Sequence, residues 1–197
     1  TPDQASLCYL SDLDGNQAEE IRQAWADIPE DVRVDVVSQL VKMAEADFTL
    51  NFGEIFRIAM DDENPDVRRI AIEGLWEDED VRLVPRLAER LREDASGAVR
   101  AAAAESLGRF ILLGELQRIR PKPRTAAYTA LVQACHACDE ELEVQRRALE
   151  SLAYVCNETV ITAIREAYDS PREKLRISAI FSMGRSADPR WNDKVQS

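Results

Sequence analysis

Residues 62–76, Asp62-Glu-Asn-Pro-Asp-Val-Arg-Arg-Ile-Ala-Ile-Glu-Gly-Leu-Trp76, read as a turn, a helix start and a buried helix. The Val67-Arg68 step inside this stretch returns along the chain as Val32-Arg33, Val99-Arg100, Val144-Gln145 and Leu175-Arg176. Measured from the second member, position −6 holds Asp27, Asp62, Asp94, Asp139 and Ser170. Position +3 holds Val36, Ala71, Ala103, Ala148 and Ala179. Position +4 holds Val37, Ile72, Ala104, Leu149 and Ile180, and +7 holds Leu40, Leu75, Leu107, Leu152 and Met183. Offsets of 3, 4 and 7 lie on one helix face, so an apolar face recurs in register. The steps of 35, 32, 45 and 31 residues have the period of stacked helical units.

The small residue at +3 lets a neighbouring helix approach, and the Leu column fills the space between layers. The aspartate sits before the helix, near its positive end, where a carboxylate can accept unpaired N–H groups. The arginine one turn in can reach such an aspartate in its own repeat or the next, and a ladder of such pairs would set the repeat spacing. The column Asp-x4-Val-Arg-x2-Ala-x3-Leu resembles HEAT repeats, in the short form also seen in phycobilisome lyases. It is fullest at Asp94, Val99, Arg100, Ala103, Leu107 and Gly108. The resemblance covers about residues 29–197 and departs from the pattern at Val36, Gln145 and Ser170. It implies an all-α, right-handed α-α superhelix of about five helix pairs, whose second helices line the concave surface. Residues 1–28 are then an N-terminal helical cap, in a single elongated domain.

Apolar residues make up 45% of the 197, enough for a layered core, and no run is long and apolar enough to span a membrane. The chain opens on Thr1 without a signal-peptide pattern, and Trp191 to Val195 reads as the start of another helix. A longer solenoid is therefore expected. The net charge of −12 is uneven: residues 1–98 carry 24 acids against 10 bases, and residues 99–197 carry 13 against 15. The acidic half opposes phosphate binding and suits a basic protein surface. Four cysteines in a charged helical chain point to a reducing cytoplasm rather than a disulfide scaffold.

In chain order, Thr1-Pro2 reads as a helix start, with Leu7, Leu10 and Tyr9 as its buried side. Asn16 with Glu19 reads as the next start, followed by Ile21, Trp25 and Ile28 on one face and the breaker Pro29. Residues 30–46 form the second helix of the first repeat. Asn51, Asn64-Pro65, Asp78 or Asp80, Ser96-Gly97, Asn157, Ser170-Pro171 and Asp188-Pro189 mark later starts. Val81, Val84, Leu87, Ala88 and Leu91 form one apolar face. The 45-residue step is assigned an irregular loop over 114–124, with Pro121 and Pro123 stopping any helix.

Position +5 places Glu73, Glu105 and Glu150 in neighbouring repeats, flanked a turn away by Arg69, Arg109, Arg146 and Tyr154, with Trp76 close by. This strip is either a partner-binding groove or a solvated face of i,i+4 pairs worth about 0.2–0.5 kcal/mol each. The bases Arg118, Arg120, Lys122 and Arg124 either bind an acidic group or fold back on the acidic half. Cys135-His136-Ala137-Cys138 could hold zinc with Cys156, but the helical reading puts both thiols on an apolar face. Asp12-Leu-Asp14-Gly-Asn16 lacks the Gly and Glu that a calcium loop needs at its sixth and twelfth places, where Gln17 and Gln23 stand. No metal or cofactor is expected. The expected function is a non-catalytic scaffold binding another protein or peptide on the concave face. Two rivals come from the resemblance: bilin attachment or detachment, as in the lyases, and nucleic-acid binding, as in HEAT-like DNA glycosylases.

Overall fold

Every repeat of the Val-Arg step lies at the start of a helix in the computed structural model, which describes residues 3–192. The helices are α1 (Gln4–Leu7), α2 (Gly15–Ala24), α3 (Glu30–Ala46), α4 (Gly53–Ala59), α5 (Pro65–Gly74), α6 (Leu83–Glu93), α7 (Gly97–Glu115), α8 (Pro121–His136), α9 (Leu142–Leu152), α10 (Glu158–Tyr168) and α11 (Glu173–Ser186). Helices α3, α5, α7, α9 and α11 carry the repeated column. The predicted start at Thr1-Pro2 and the stretch to Val195 fall partly outside the described residues.

The chain forms two compact units, Thr1–Asp78 and Glu79–Ser197. In the first, α3, α4 and α5 pack together, and α1 and α2 touch α3 and α4. Its core holds Val37, Leu40, Ile55, Phe56, Ala59, Val67 and Ala71, all fully or nearly fully buried. In the second, α7 packs against α6, α8 and α9, and α9 against α8, α10 and α11. Val99, Ala103, Ala104, Leu107, Phe110, Ile111, Val144 and Ala148 are fully buried there. The +3 and +7 columns are core in every repeat.

Local chemistry explains the helix starts. Asp14, rather than the expected Asn16, caps α2, accepting from the N–H groups of Asn16 and Gln17, while the Asp14 N–H donates to the Gln17 side chain. Asn64 accepts from Asp66 and Val67 ahead of Pro65 at the first helical position. Asn157 accepts from the Val160 N–H. The residue at −6 plays the same local role in three repeats. Asp62, Asp94 and Ser170 each accept from the N–H two residues on, in Asn64, Ser96 and Arg172.

The irregular loop over 114–124 is corrected. Helix α7 runs to Glu115 and α8 begins at Pro121, leaving only residues 116–120 between them. Prolines in a first turn start a helix because the missing N–H would be unpaired there anyway. The extra residues of the long step lengthen α7 to 19 residues and α8 to 16. Tyr9, expected on a buried side, is 85% exposed. Val81 is exposed because it precedes α6, which starts at Leu83. Ile180 is exposed although its +4 counterparts are core.

Candidate functional site

The side chains of the +1, +5 and +9 positions are placed by the second helices. In the first unit, Arg69 and Glu73 form an i,i+4 pair at 2.8 Å on α5, and Trp76 stands 47% exposed just after that helix. In the second unit, α7 contributes Ala101, Glu105 and Arg109, α9 with the residues just after it contributes Arg146, Glu150 and Tyr154, and α11 contributes Ile177, Phe181 and Arg185.

Glu105 is exposed, but Glu150 is not a free carboxylate. The Ser178 hydroxyl on α11 donates to it, and Arg146 lies 3.7 Å away. Arg146 Nε in turn donates to Ser178 Oγ at 2.9 Å and to the Lys174 carbonyl at 3.2 Å. Arg147, which the repeated columns do not single out, reaches Glu143 at 3.0 Å, Glu150 at 3.4 Å and Glu105 at 3.6 Å. It thereby links α7 and α9. Burial pushes Glu143 up, but the guanidinium groups of Arg146 and Arg147 outweigh it and hold the carboxyl below its usual range. Within the second unit these positions thus form a seam between repeats. Arg109 lies over the Phe110 ring at 4.9 Å.

The strip opens out at α11. Arg185 stacks over Tyr154 at 5.0 Å and over Phe181 at 4.4 Å, and donates to the Glu150 carbonyl at 3.2 Å. Ile177, Ile180 and Phe181 stand 53%, 43% and 46% exposed beside it. Sequence reasoning missed this cluster because Ile180 belongs to the core column and Phe181 replaces the glutamate of the +5 column. The apolar residue at +5 was the available signal.

The basic cluster is drawn into its own surroundings. Arg118 pairs with Glu79 at 2.8 Å, and Arg124 pairs with Glu115 at 2.6 Å and lies over Tyr128 at 5.3 Å. Arg120 and Lys122 are exposed. An open groove of about 690 Å³ runs between α6 and α8, lined by Pro85, Ala88, Thr125 and Thr129 with Arg92 and Lys122 at its rim.

The first rung of the expected carboxylate ladder joins two neighbouring repeats. Arg33 pairs with Asp62 of the next repeat at 2.9 Å, both buried, and the Trp25 indole N–H also donates to Asp62. Arg68, Arg100 and Arg176 donate to the carbonyls of their own preceding turns, at positions −6 and −5. Arg100 also pairs with Glu140 of the next repeat at 2.8 Å. Gln145, in an arginine's place, donates to the Ala137 carbonyl and accepts from Arg172 of the following repeat at 3.3 Å.

Of the CxxC pair, Cys135 is mostly buried, whereas Cys138 lies beyond the end of α8 and is exposed, not on an apolar face. Burial, with Glu166 nearby, pushes the Cys135 thiol up to about 12, so it stays protonated near neutrality. Among the described residues no group of three His, Cys, Asp or Glu side chains is placed to hold a metal ion. Nor is any described helix long and apolar enough to cross a membrane.

Known proteins resemble this chain both in sequence family and in structure. The family described as HEAT repeats matches residues 54–121. A chain in the solved complex of CpcE and CpcF of phycocyanin lyase from Nostoc sp. PCC7120 superposes with a TM-score of 0.59 at 20% identity, over 86% of this chain and 99% of that one. No curated protein matches.

Proposed function

We propose, from the premise that the chain is a HEAT-repeat protein, that it is a non-catalytic scaffold that holds another protein on the side chains of its second helices. The observation that carries this reading is the α9–α11 surface, where Tyr154, Phe181 and Arg185 stack together beside exposed Ile177. Aromatic and arginine side chains dominate the energetics of protein interfaces because they bury much area with few rotatable bonds. The inter-repeat bonds of Glu150 and Arg146 hold that surface in one shape before any partner arrives, which lowers the ordering cost of binding. In the first unit, taken by itself, Trp76 beside the Arg69–Glu73 pair is an anchor of the same kind.

The test is capture of proteins from the source extract on the immobilised chain, beside Phe181→Glu, Glu105→Lys and Trp76→Ala variants of unchanged helicity. The expected result is a protein held by the native chain and lost with Phe181→Glu. Retention of the same proteins by all three variants would move the site to Arg118, Arg120, Lys122 and Arg124. The solved neighbour is a phycocyanin lyase complex, so bilin is added to the same chain. No change in the bilin absorption band is expected, and a clear shift would overturn the scaffold reading in favour of chromophore handling.

A further inference from the structure

Helix α11 bears, four residues apart along one ridge, Glu173, Ile177, Phe181 and Arg185, all exposed. Ile180 and Gly184 lie in the adjoining row. In α9 the counterparts of Ile177 and Phe181 are Arg146 and Glu150, and both are bonded to Ser178 of the next helix. In α7 the counterpart of Gly184 is Gly108, which lies so close to α9 that an added Cβ would fall 2.7 Å from Ser151 Oγ. At Gly184 an added Cβ would meet nothing within 4 Å. The positions that receive a neighbouring helix elsewhere in this unit are therefore open on α11; two of them, Ile177 and Phe181, carry large apolar side chains, and exposed Ile180 adjoins them. Scattered single apolar residues on a surface are ordinary, but a contiguous row of them marks a contact site.

The order of charges along the ridge says what fits. It runs acid, apolar, apolar, base. Turned by 180° about its midpoint near Ala179, the ridge becomes its own complement: Glu173 faces Arg185, and Ile177 faces Phe181, twice over. A parallel helix of the same kind would instead set acid against acid. Antiparallel packing also brings opposite helix ends together, and ridges four residues apart interdigitate in the commonest helix-packing class. Gly184 falls opposite Lys174, and its missing side chain leaves room for the lysine stem.

We infer that α11 is a two-fold, self-complementary docking ridge on which a second copy of this chain sits antiparallel, with Glu173 of each copy paired to Arg185 of the other. This rests on the reading of the second-helix face as an interaction surface and names one occupant for its α11 end. A ridge of this few exposed side chains is a small part of the roughly 20–30 residues a side of a standard interface, so the dimer is a weak one, with dissociation at roughly 10–100 µM.

The experiment is sedimentation equilibrium of the purified full chain across roughly 1–500 µM, a span that brackets that affinity. Native chain passing from monomer to dimer mass is the expected result. Phe181→Glu abolishes the dimer. Glu173→Arg and Arg185→Glu, each of which sets like charges face to face, weaken it about tenfold or more. The double swap Glu173→Arg with Arg185→Glu restores it, while circular dichroism confirms folding of every variant. A chain that stays monomeric throughout overturns the inference, as does a dimer indifferent to Phe181→Glu, or single swaps that the double swap fails to rescue. The scaffold proposal is judged separately, by the extract capture, and survives a monomeric result if Phe181→Glu still loses a captured protein.

Discussion

Arg33 and Asp62 form an exacting pair, because both side chains are nearly sealed from water. A buried ion pair adds little over a well-packed apolar pair, yet removing one partner strands the other's charge. Arg33→Met should therefore cost about 3–5 kcal/mol in urea unfolding, and Arg33→Met with Asp62→Leu should recover much of that loss. No recovery in the double variant would mean that the bonds from Trp25 and Asn64 to Asp62, rather than the charge pair, hold the site. Thiol chemistry gives a second check at this scale. Cys8 and Cys138 are exposed and should label first with a disulfide reagent, whereas Cys135, pushed up to about 12, should label only on unfolding. The Cys156 thiol is also raised, by its hydrogen bond to Asp188, and should lag behind its exposure. Rapid labelling of Cys135 in the native chain would contradict its burial.

At the scale of helices, two glycines of the same register predict opposite signs. Gly108→Ala forces a methyl group into Ser151 and should destabilise by about 1–3 kcal/mol. Gly184→Ala meets nothing and lies within α11, so it should stabilise by up to about 1 kcal/mol. Thermal unfolding of the two variants measures both, and equal effects would refute the close approach of α7 and α9. The same contrast shows how far the sequence could be read. The +3 and +7 columns placed the five second helices, and α3 occupies the 30–46 expected for it, because apolar periodicity directly records burial. Pro121 and Pro123 misled because a proline's meaning depends on whether it falls in a first turn or a later one, which spacing alone does not reveal. The strip was only half legible. Glu73 and Glu105 are exposed as a helical face predicts, but Glu150 is bound by Ser178, a residue the columns treat as neutral. The exposed face of α11 was hidden for the same reason. Its Ile180 matches the core pattern, and only the three-dimensional neighbourhood tells that no described helix covers it.

For each unit as a whole, packing sets where the chain opens last. Helix α7 buries ten residues and packs against α6, α8 and α9, so its amides should exchange slowest in the second unit, ahead of those in α10 and α11. The α9 seam should respond to acid. Glu143 is held below its usual value of 4.5, so its contribution is fully present above about pH 5 and fades as pH falls through the lower folded value. Glu143→Gln should therefore lower the urea midpoint at about pH 7 and have little effect at about pH 3, a difference read directly from paired titrations. A variant effect that persists unchanged in acid would assign the role of Glu143 to packing. The fourth repeat is joined to its neighbours on both sides. At its turn it accepts guanidinium groups from both flanks, Arg100 onto Glu140 and Arg172 onto Gln145. It is a keystone rather than a brick. An array rebuilt with two copies of this repeat in tandem would set the second Glu140 against the first Gln145, where the joint calls for an arginine, so any shuffling of these modules has to move the fourth together with its neighbours.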